Sequence, residues 1–272
     1  MIPFHEQKDK PNLWSWLNKR YNLHKQGHQD TIVVVCGSEQ LGKSRFVLRV
    51  EWCMDKELFF KEEKYNLDNI VFQGEDHRER MINCEKSIIH NDEGALSLYS
   101  RQAMTPENVK SNKKIMLCGY KHNLQFICIP DFFSIDSYIK NHRVMCVIKI
   151  FQGNKFKAWC GDKKIKKILY QKNYAVKSST RGWWSERDDD KDFKSFMKAY
   201  RKKEHKFKSL SMDDAEKEEE KKLNEKDLLK QTIYKLYHKG NVGTDTIADS
   251  MGISRRTVQR WLKERTLSDH PN

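Results

Sequence analysis

Apolar residues follow two rhythms along the chain. The first is the unbroken run Thr31-Ile32-Val33-Val34-Val35-Cys36, β-branched and apolar at nearly every position. A strand with one buried face alternates, so this run predicts a central parallel strand covered by helices on both sides. Shorter runs at 70–73, 87–91, 125–129 and 144–150 read as further strands, and the polar stretches between them leave room for crossover helices. The second rhythm is helical. Phe46, Val47, Val50 and Met54 share one face, and Leu13, Trp14, Trp16, Leu17, Tyr21 and Leu23 predict a short packing helix before the first long strand. Two strand-like runs, ending at Phe151 and starting at Lys155, flank Gly153-Asn154, which predicts a hairpin at the far edge of the sheet. The expected fold class is α/β, a mainly parallel, doubly wound sheet.

Beyond residue 189 the pattern changes. A strongly basic helical segment reaches about residue 207, and residues 212–227 are almost all Asp, Glu and Lys, with little to bury. Apolar periodicity returns at Leu229, Ile233, Leu236 and Tyr237. The expected division is a domain at 1–207, a charged linker at 208–227 and a small all-α domain at 228–272.

Composition narrows the partners. The 272 residues carry 52 Lys and Arg against 38 Asp and Glu, a formal net charge of +14. Such an excess attracts polyanions through counterion release, which favours nucleic acid. Seven cysteines with no C-x-x-C spacing argue against a disulfide scaffold or a zinc knuckle. No apolar run approaches the length of a membrane span and no signal-peptide core precedes the first helix, so no membrane partner and a cytoplasmic location are expected.

Between the apolar run and the helix of Phe46 lie Gly37, Ser38, Glu39, Gln40, Leu41, Gly42, Lys43 and Ser44, which satisfy G-x-x-x-x-G-K-[ST] in its required strand-to-helix setting. Backbone N–H groups of such a loop surround a β-phosphate, and the glycines let the backbone approach. Lys43 is expected to reach the β- and γ-phosphates and Ser44 to ligate Mg2+, with Arg45 completing the nucleotide-binding set. The apolar strand at 87–91 ends in Asp92 and Glu93. Asp92 would hold the metal through water, and Glu93 would orient or deprotonate the attacking water. ATP and Mg2+ are the expected cofactors.

After residue 120, polar residues lead into another buried strand that ends at Pro130 and Asp131. This order of elements, over about residues 31–150, resembles the additional-strand class of P-loop NTPases, most closely the HerA, FtsK and zonula occludens toxin type of DNA-motor ATPases. Large-terminase ATPases have a similar Asp-Glu pair. The resemblance implies an extra strand between the P-loop strand and the acidic strand, with a polar side chain at its end that senses the γ-phosphate. Those families commonly place Gln or Thr where this chain has Pro130 and Asp131. It also implies an oligomer in which an arginine stabilises charge in phosphoryl transfer, and Arg101 and Arg143 are the candidates. Each is equally readable as an ordinary surface or ion-pair arginine.

Residues 244–263 resemble the helix-turn-helix family. Ala248 is small where two helices would cross, Gly252 stands at the turn, and Ile253 and Val258 point inward. Ser254 is the expected N-cap of a second helix. Ser254, Arg255, Arg256, Thr257, Gln259, Arg260 and Lys263 then form the expected face toward double-stranded DNA, where Arg reads guanine and Gln adenine. Protein docking is the competing use of such a unit. Trp183 and Trp184 could stack on bases or pack in a core. The expected function is a DNA-associated ATPase that packages or translocates DNA for a virus or mobile element. The alternative is an ATP-dependent DNA-binding switch in partition, replication or transcription.

Overall fold

The structure is a computed structural model that describes residues 5–6, 12–61, 64–94, 113, 117–161, 169, 174–175, 177–184 and 190–269. The chain divides into two compact units, Met1–Glu204 and His205–Asn272. In the first, ten strands appear in chain order: β1 His5–Glu6, β2 Thr31–Cys36, β3 Phe60–Lys61, β4 Lys64–Tyr65, β5 Ile70–Val71, β6 Ile88–Asn91, β7 Leu124–Ile129, β8 Val144–Phe151, β9 Lys155–Cys160 and β10 Thr180–Trp183. Among the described residues the α-helices are α1 Leu13–Lys25, α2 Lys43–Met54, α3 Gly74–Asn83, α4 Lys191–His238, α5 Thr244–Met251 and α6 Arg255–Asp269.

Eight strands form one sheet in the order β1-β10-β9-β8-β2-β7-β6-β5. The run from β8 to β5 is parallel throughout. Side chains of β2 divide between two cores as the double-sided run requires. Val33 and Val35 join Leu17, Phe46, Val47 and Val50 on the α1/α2 face, while Ile32, Val34 and Cys36 join Met81, Ile127 and Phe132 on the other. All six β2 residues are buried.

The sheet departs from expectation at one end. β8 and β9 form the predicted hairpin, with Gly153 and Asn154 both at positive φ (70° and 56°). That hairpin is not the edge: β10 and then β1 continue the sheet antiparallel beyond it. Gly182 explains how β1 fits against β10, because a Cβ there would lie 2.0 Å from the His5 carbonyl oxygen. The local signal missed this extension because β1 has only two residues and β10 carries Arg181 and Gly182 rather than an apolar run.

The stretch read as a charged linker, with a helical form open to it, lies within helix α4. Its first turns are fixed on α2 by aromatic contacts. Trp52 meets Phe193 at 5.7 Å and Phe196 at 5.0 Å between ring centroids, and its indole donates to Asp190 at 3.0 Å. Burying such rings contributes about 0.5–1.5 kcal/mol per pair beyond their area.

In the second unit, Ile233 of α4, Ile247 and Ala248 of α5, and Val258 and Leu262 of α6 form a small core. Gly252 caps α5 in the left-handed region (φ 63°), and the Ile253 N–H returns to the Ala248 carbonyl at 3.1 Å. Ser254 Oγ then accepts from the Thr257 N–H at 3.1 Å, the N-cap bond of α6. No helix among the described residues is long and apolar enough to cross a membrane.

Candidate functional site

Residues 37–44 leave the C-terminal end of β2 and enter α2, so the loop lies at the mouth of the most buried strand. Three of its residues have positive φ: Gly37 (151°), Gln40 (62°) and Gly42 (79°). Gly37 is fixed by space, since a Cβ would come within 2.8 Å of the Ile150 carbonyl oxygen. Its N–H donates to the Pro130 carbonyl at 3.1 Å, which ties the loop to the end of β7. The Lys43 ammonium folds back across the loop and donates to the carbonyls of Gly37 and Ser38, both at 2.9 Å. Ser38, Glu39 and Gln40 are exposed, Leu41, Gly42, Ser44 and Arg45 half-buried.

β7 stands between β2 and β6, so the acidic pair is one strand removed from the loop strand. Asp92 follows β6 directly and is pinned by its N–H to the Val71 carbonyl at 2.9 Å. The Ser44 hydroxyl comes close enough to its carboxylate to help lower its pKa, which brings the loop and the acidic strand together. Glu93 comes next, half-buried in the turn. Gly94 closes that turn against β7: its N–H donates to the Cys128 carbonyl at 3.0 Å, and a Cβ would lie 2.4 Å from the Ile127 side chain.

Three residues at this place escaped sequence reasoning. His90 is buried in β6 between Glu51 of α2, at 3.2 Å from Nδ1, and Asp92, at 3.4 Å from Nε2. Tyr200 of α4 donates its hydroxyl to Asp92, with Ser44 nearby. Burial disfavours the His90 imidazolium, yet the Glu51 charge, with Asp92 and Cys128, raises its pKa well above 6.5. Burial likewise raises the Glu51 carboxyl, in part against the charge of His90. Asp92 is pushed up by burial but pulled further down, to about 2, by His90, Ser44 and Tyr200. One imidazolium thus holds two carboxylates in place. A polar residue in an apolar strand, His90 at the centre of Ile88–Asn91, was the available signal; Glu51 and Tyr200 gave none, because their partners are far away in sequence.

Two donor sets could receive a cation. His90, Asp92 and Cys128 offer ligand atoms within 4.8 Å of one another. That set is poorly prepared: the imidazole nitrogens face carboxylates, and burial pushes the Cys128 thiol up to about 11, so it is protonated at neutral pH. Ser44 Oγ with Asp92 is an all-oxygen pair that suits a hard dication such as Mg2+. Asp92 Oδ1 is buried and faces the His90 Nε2 at 3.4 Å.

The arginines fall elsewhere. Arg143 precedes β8 and is ion-paired with Asp30, just before β2. Both lie at the N-terminal ends of the parallel strands, opposite the loop, so this chain does not bring its own Arg143 to residues 37–44. Its role within the chain is the ion pair. Arg101 lies outside the described residues. Asp131, at the end of β7, accepts from the Tyr174 hydroxyl at 3.0 Å. The tryptophans separate: Trp184 is buried against Phe46 at 5.0 Å, whereas Trp183 is half exposed and stacks on His5.

In the second unit Ser254, Arg255, Arg256, Gln259, Arg260 and Lys263 are exposed along α6, with Thr257 half-buried. Arg255 is partly committed, its Nε lying 2.9 Å from Asp245 of α5.

No protein-family model and no curated protein matches the sequence. Among solved structures, the N-terminal domain of zonular occludens toxin from Neisseria meningitidis is similar over 59% of this chain and 96% of that chain, at 15% identity and a TM-score of 0.37. A likeness that remote carries no functional argument. What the chain itself defines is an α/β unit with a mostly parallel central sheet and a strand–loop–helix of P-loop type.

Breaking the buried pair gives a first test of the site's architecture. Glu51→Ala removes the carboxyl that faces His90 Nδ1 at 3.2 Å, and is expected to cost about 3 kcal/mol in urea unfolding followed by circular dichroism. The pH profile has a sign. Because His90 is raised, its contribution is complete below pH 6.5 and is lost as pH rises through the raised value. Because Asp92 is lowered, its contribution is present above pH 3.8 and is lost as pH falls toward about 2. The wild-type urea midpoint should therefore decline on both flanks, and Glu51→Ala should flatten the alkaline one.

Proposed function

We propose that this chain is a DNA-associated ATPase: residues 37–45 cradle the polyphosphate of ATP, Ser44 and Asp92 hold Mg2+, and the C-terminal unit is a helix-turn-helix that engages double-stranded DNA. The single observation that carries the nucleotide reading is that Ser44 of the loop comes close enough to Asp92 of the acidic strand to lower its pKa, across the inserted strand β7. Lys43 supplies a mobile cation to the β- and γ-phosphates, its present partners being only loop carbonyls. Bound Mg2+ would neutralise charge on the phosphates. Glu93, adjacent to the metal carboxylate, positions the attacking water and accepts its proton. Asp92 cannot take that proton, since its pKa is held near 2.

The net charge of +14 and the cationic outer face of α6 support DNA as the partner. A homo-oligomeric motor for viral or mobile-element DNA packaging or translocation is the specific reading, in which a neighbouring copy supplies the arginine that Arg143 does not supply in its own chain. The second reading, an ATP-dependent DNA-binding switch, is favoured by α4: this one helix carries Tyr200, bonded to Asp92, and Ile233, part of the C-terminal core.

DNA engagement is tested on the full chain. Arg255→Ala with Arg260→Ala should weaken duplex binding in gel shifts by about tenfold to a hundredfold, the worth of two base or phosphate contacts. Unchanged binding would remove α6 as the reading face.

A further inference from the structure

The polyphosphate has two ends, and the loop accounts for one. On the nucleotide reading, Lys43, Ser44 and Asp92 serve the terminal phosphates, and the next residue on the first turn of α2 is Arg45. Ser44 and Arg45 are consecutive, and both face α4. Ser44 lies near Tyr200, while Arg45 lines a cavity of about 450 Å³ together with Lys194, Met197, Lys198 and Arg201. Among the described residues, every charged side chain lining this cavity is a cation. The spacing is that of one helix face, 194, 197, 198 and 201, and the aromatic contacts of Phe193 and Phe196 with Trp52 fix that helix on α2.

We infer that the first turns of α4 form the second wall of the nucleotide site, with Arg45, Lys198 and Arg201 holding the α-phosphate and Met197 lying against the nucleoside of a bound nucleoside triphosphate. This rests on the nucleotide reading of residues 37–44 and extends it to an element about 150 residues away in sequence. The volume lies in the range of small-ligand pockets, which combine an apolar surface with a few placed polar groups. Tyr200 keeps the wall in register with the metal pair from the same helix turn. Its buried hydroxyl donates to Asp92 and lies near Ser44, so the cavity and the metal site are built by neighbouring residues of one element.

The experiment titrates the full chain, in Mg2+, with a slowly hydrolysed ATP analogue and separately with inorganic pyrophosphate, by calorimetry. Lys198→Ala with Arg201→Ala removes two exposed side chains, and an unchanged melting curve verifies the fold. The expected result is a loss of about tenfold or more in affinity for the nucleotide and less than about twofold for pyrophosphate, which occupies only the β- and γ-phosphate positions. Lys43→Ala should lose both ligands. Equal weakening of both ligands would reduce the cations to a general electrostatic attraction and overturn the inference. Wild-type affinity for both would overturn it too, as would a loss confined to duplex DNA, which would reassign the face to phosphodiester binding. If the wild-type chain took up neither ligand, the nucleotide reading itself would have failed.

Discussion

Glu93→Gln is expected to bind ATP and Mg2+ as tightly as the wild type and to hydrolyse it about 10²–10⁴ times more slowly, the usual worth of a positioned general base. The amide keeps the size of the side chain but cannot accept the proton of an attacking water. Asp92 cannot substitute, because its carboxylate is held near pKa 2 by His90, Ser44 and Tyr200. Phosphate release over time, measured beside nucleotide binding on the same preparation, separates the two effects. A variant that turns over at the wild-type rate would move the base elsewhere. One that also loses binding would make Glu93 part of the nucleotide pocket rather than of the chemistry.

Lys43→Ala has the opposite signature. Its ammonium now bridges the carbonyls of Gly37 and Ser38, a place it can leave for phosphate oxygens without unfolding the loop. Charge-assisted hydrogen bonds contribute about 1.5–3 kcal/mol each, so affinity for Mg2+-bound ATP should fall about a hundredfold with little change in melting temperature. Fluorescence titration with a labelled nucleotide reads the loss. Retained affinity would mean that backbone amides and metal alone hold the phosphates.

The places of Lys43 and Glu93 in the fold, at the start of α2 and after β6, were legible because their signals are local. The buried run Thr31–Cys36 demands two covered faces, and both cores use alternate residues of it. Gly37 and Gly42 are where the backbone needs positive φ, and Gly252 and Ser254 do the same for the turn and cap between α5 and α6. What depended on distant partners was hidden. Glu51 looks like one more acid in a charged chain until β6 brings His90 to it, and Tyr200 looks like one aromatic in a basic helix until α4 folds onto α2. The expected edge hairpin failed for the same reason, since β1 and β10 pair across more than 170 residues. Arg143 was selected by its place in the chain, whereas its position is set by Asp30 at the opposite end of β2.

The most direct test is an equilibrium titration of the well-folded wild-type chain with Mg2+ and a slowly hydrolysed ATP analogue. A triphosphate held by main-chain amides, the Lys43 ammonium and a metal on Ser44 and Asp92 predicts saturable uptake of about one nucleotide per chain, weakened when Mg2+ is chelated. Absence of any saturable uptake, with and without the metal, would contradict it.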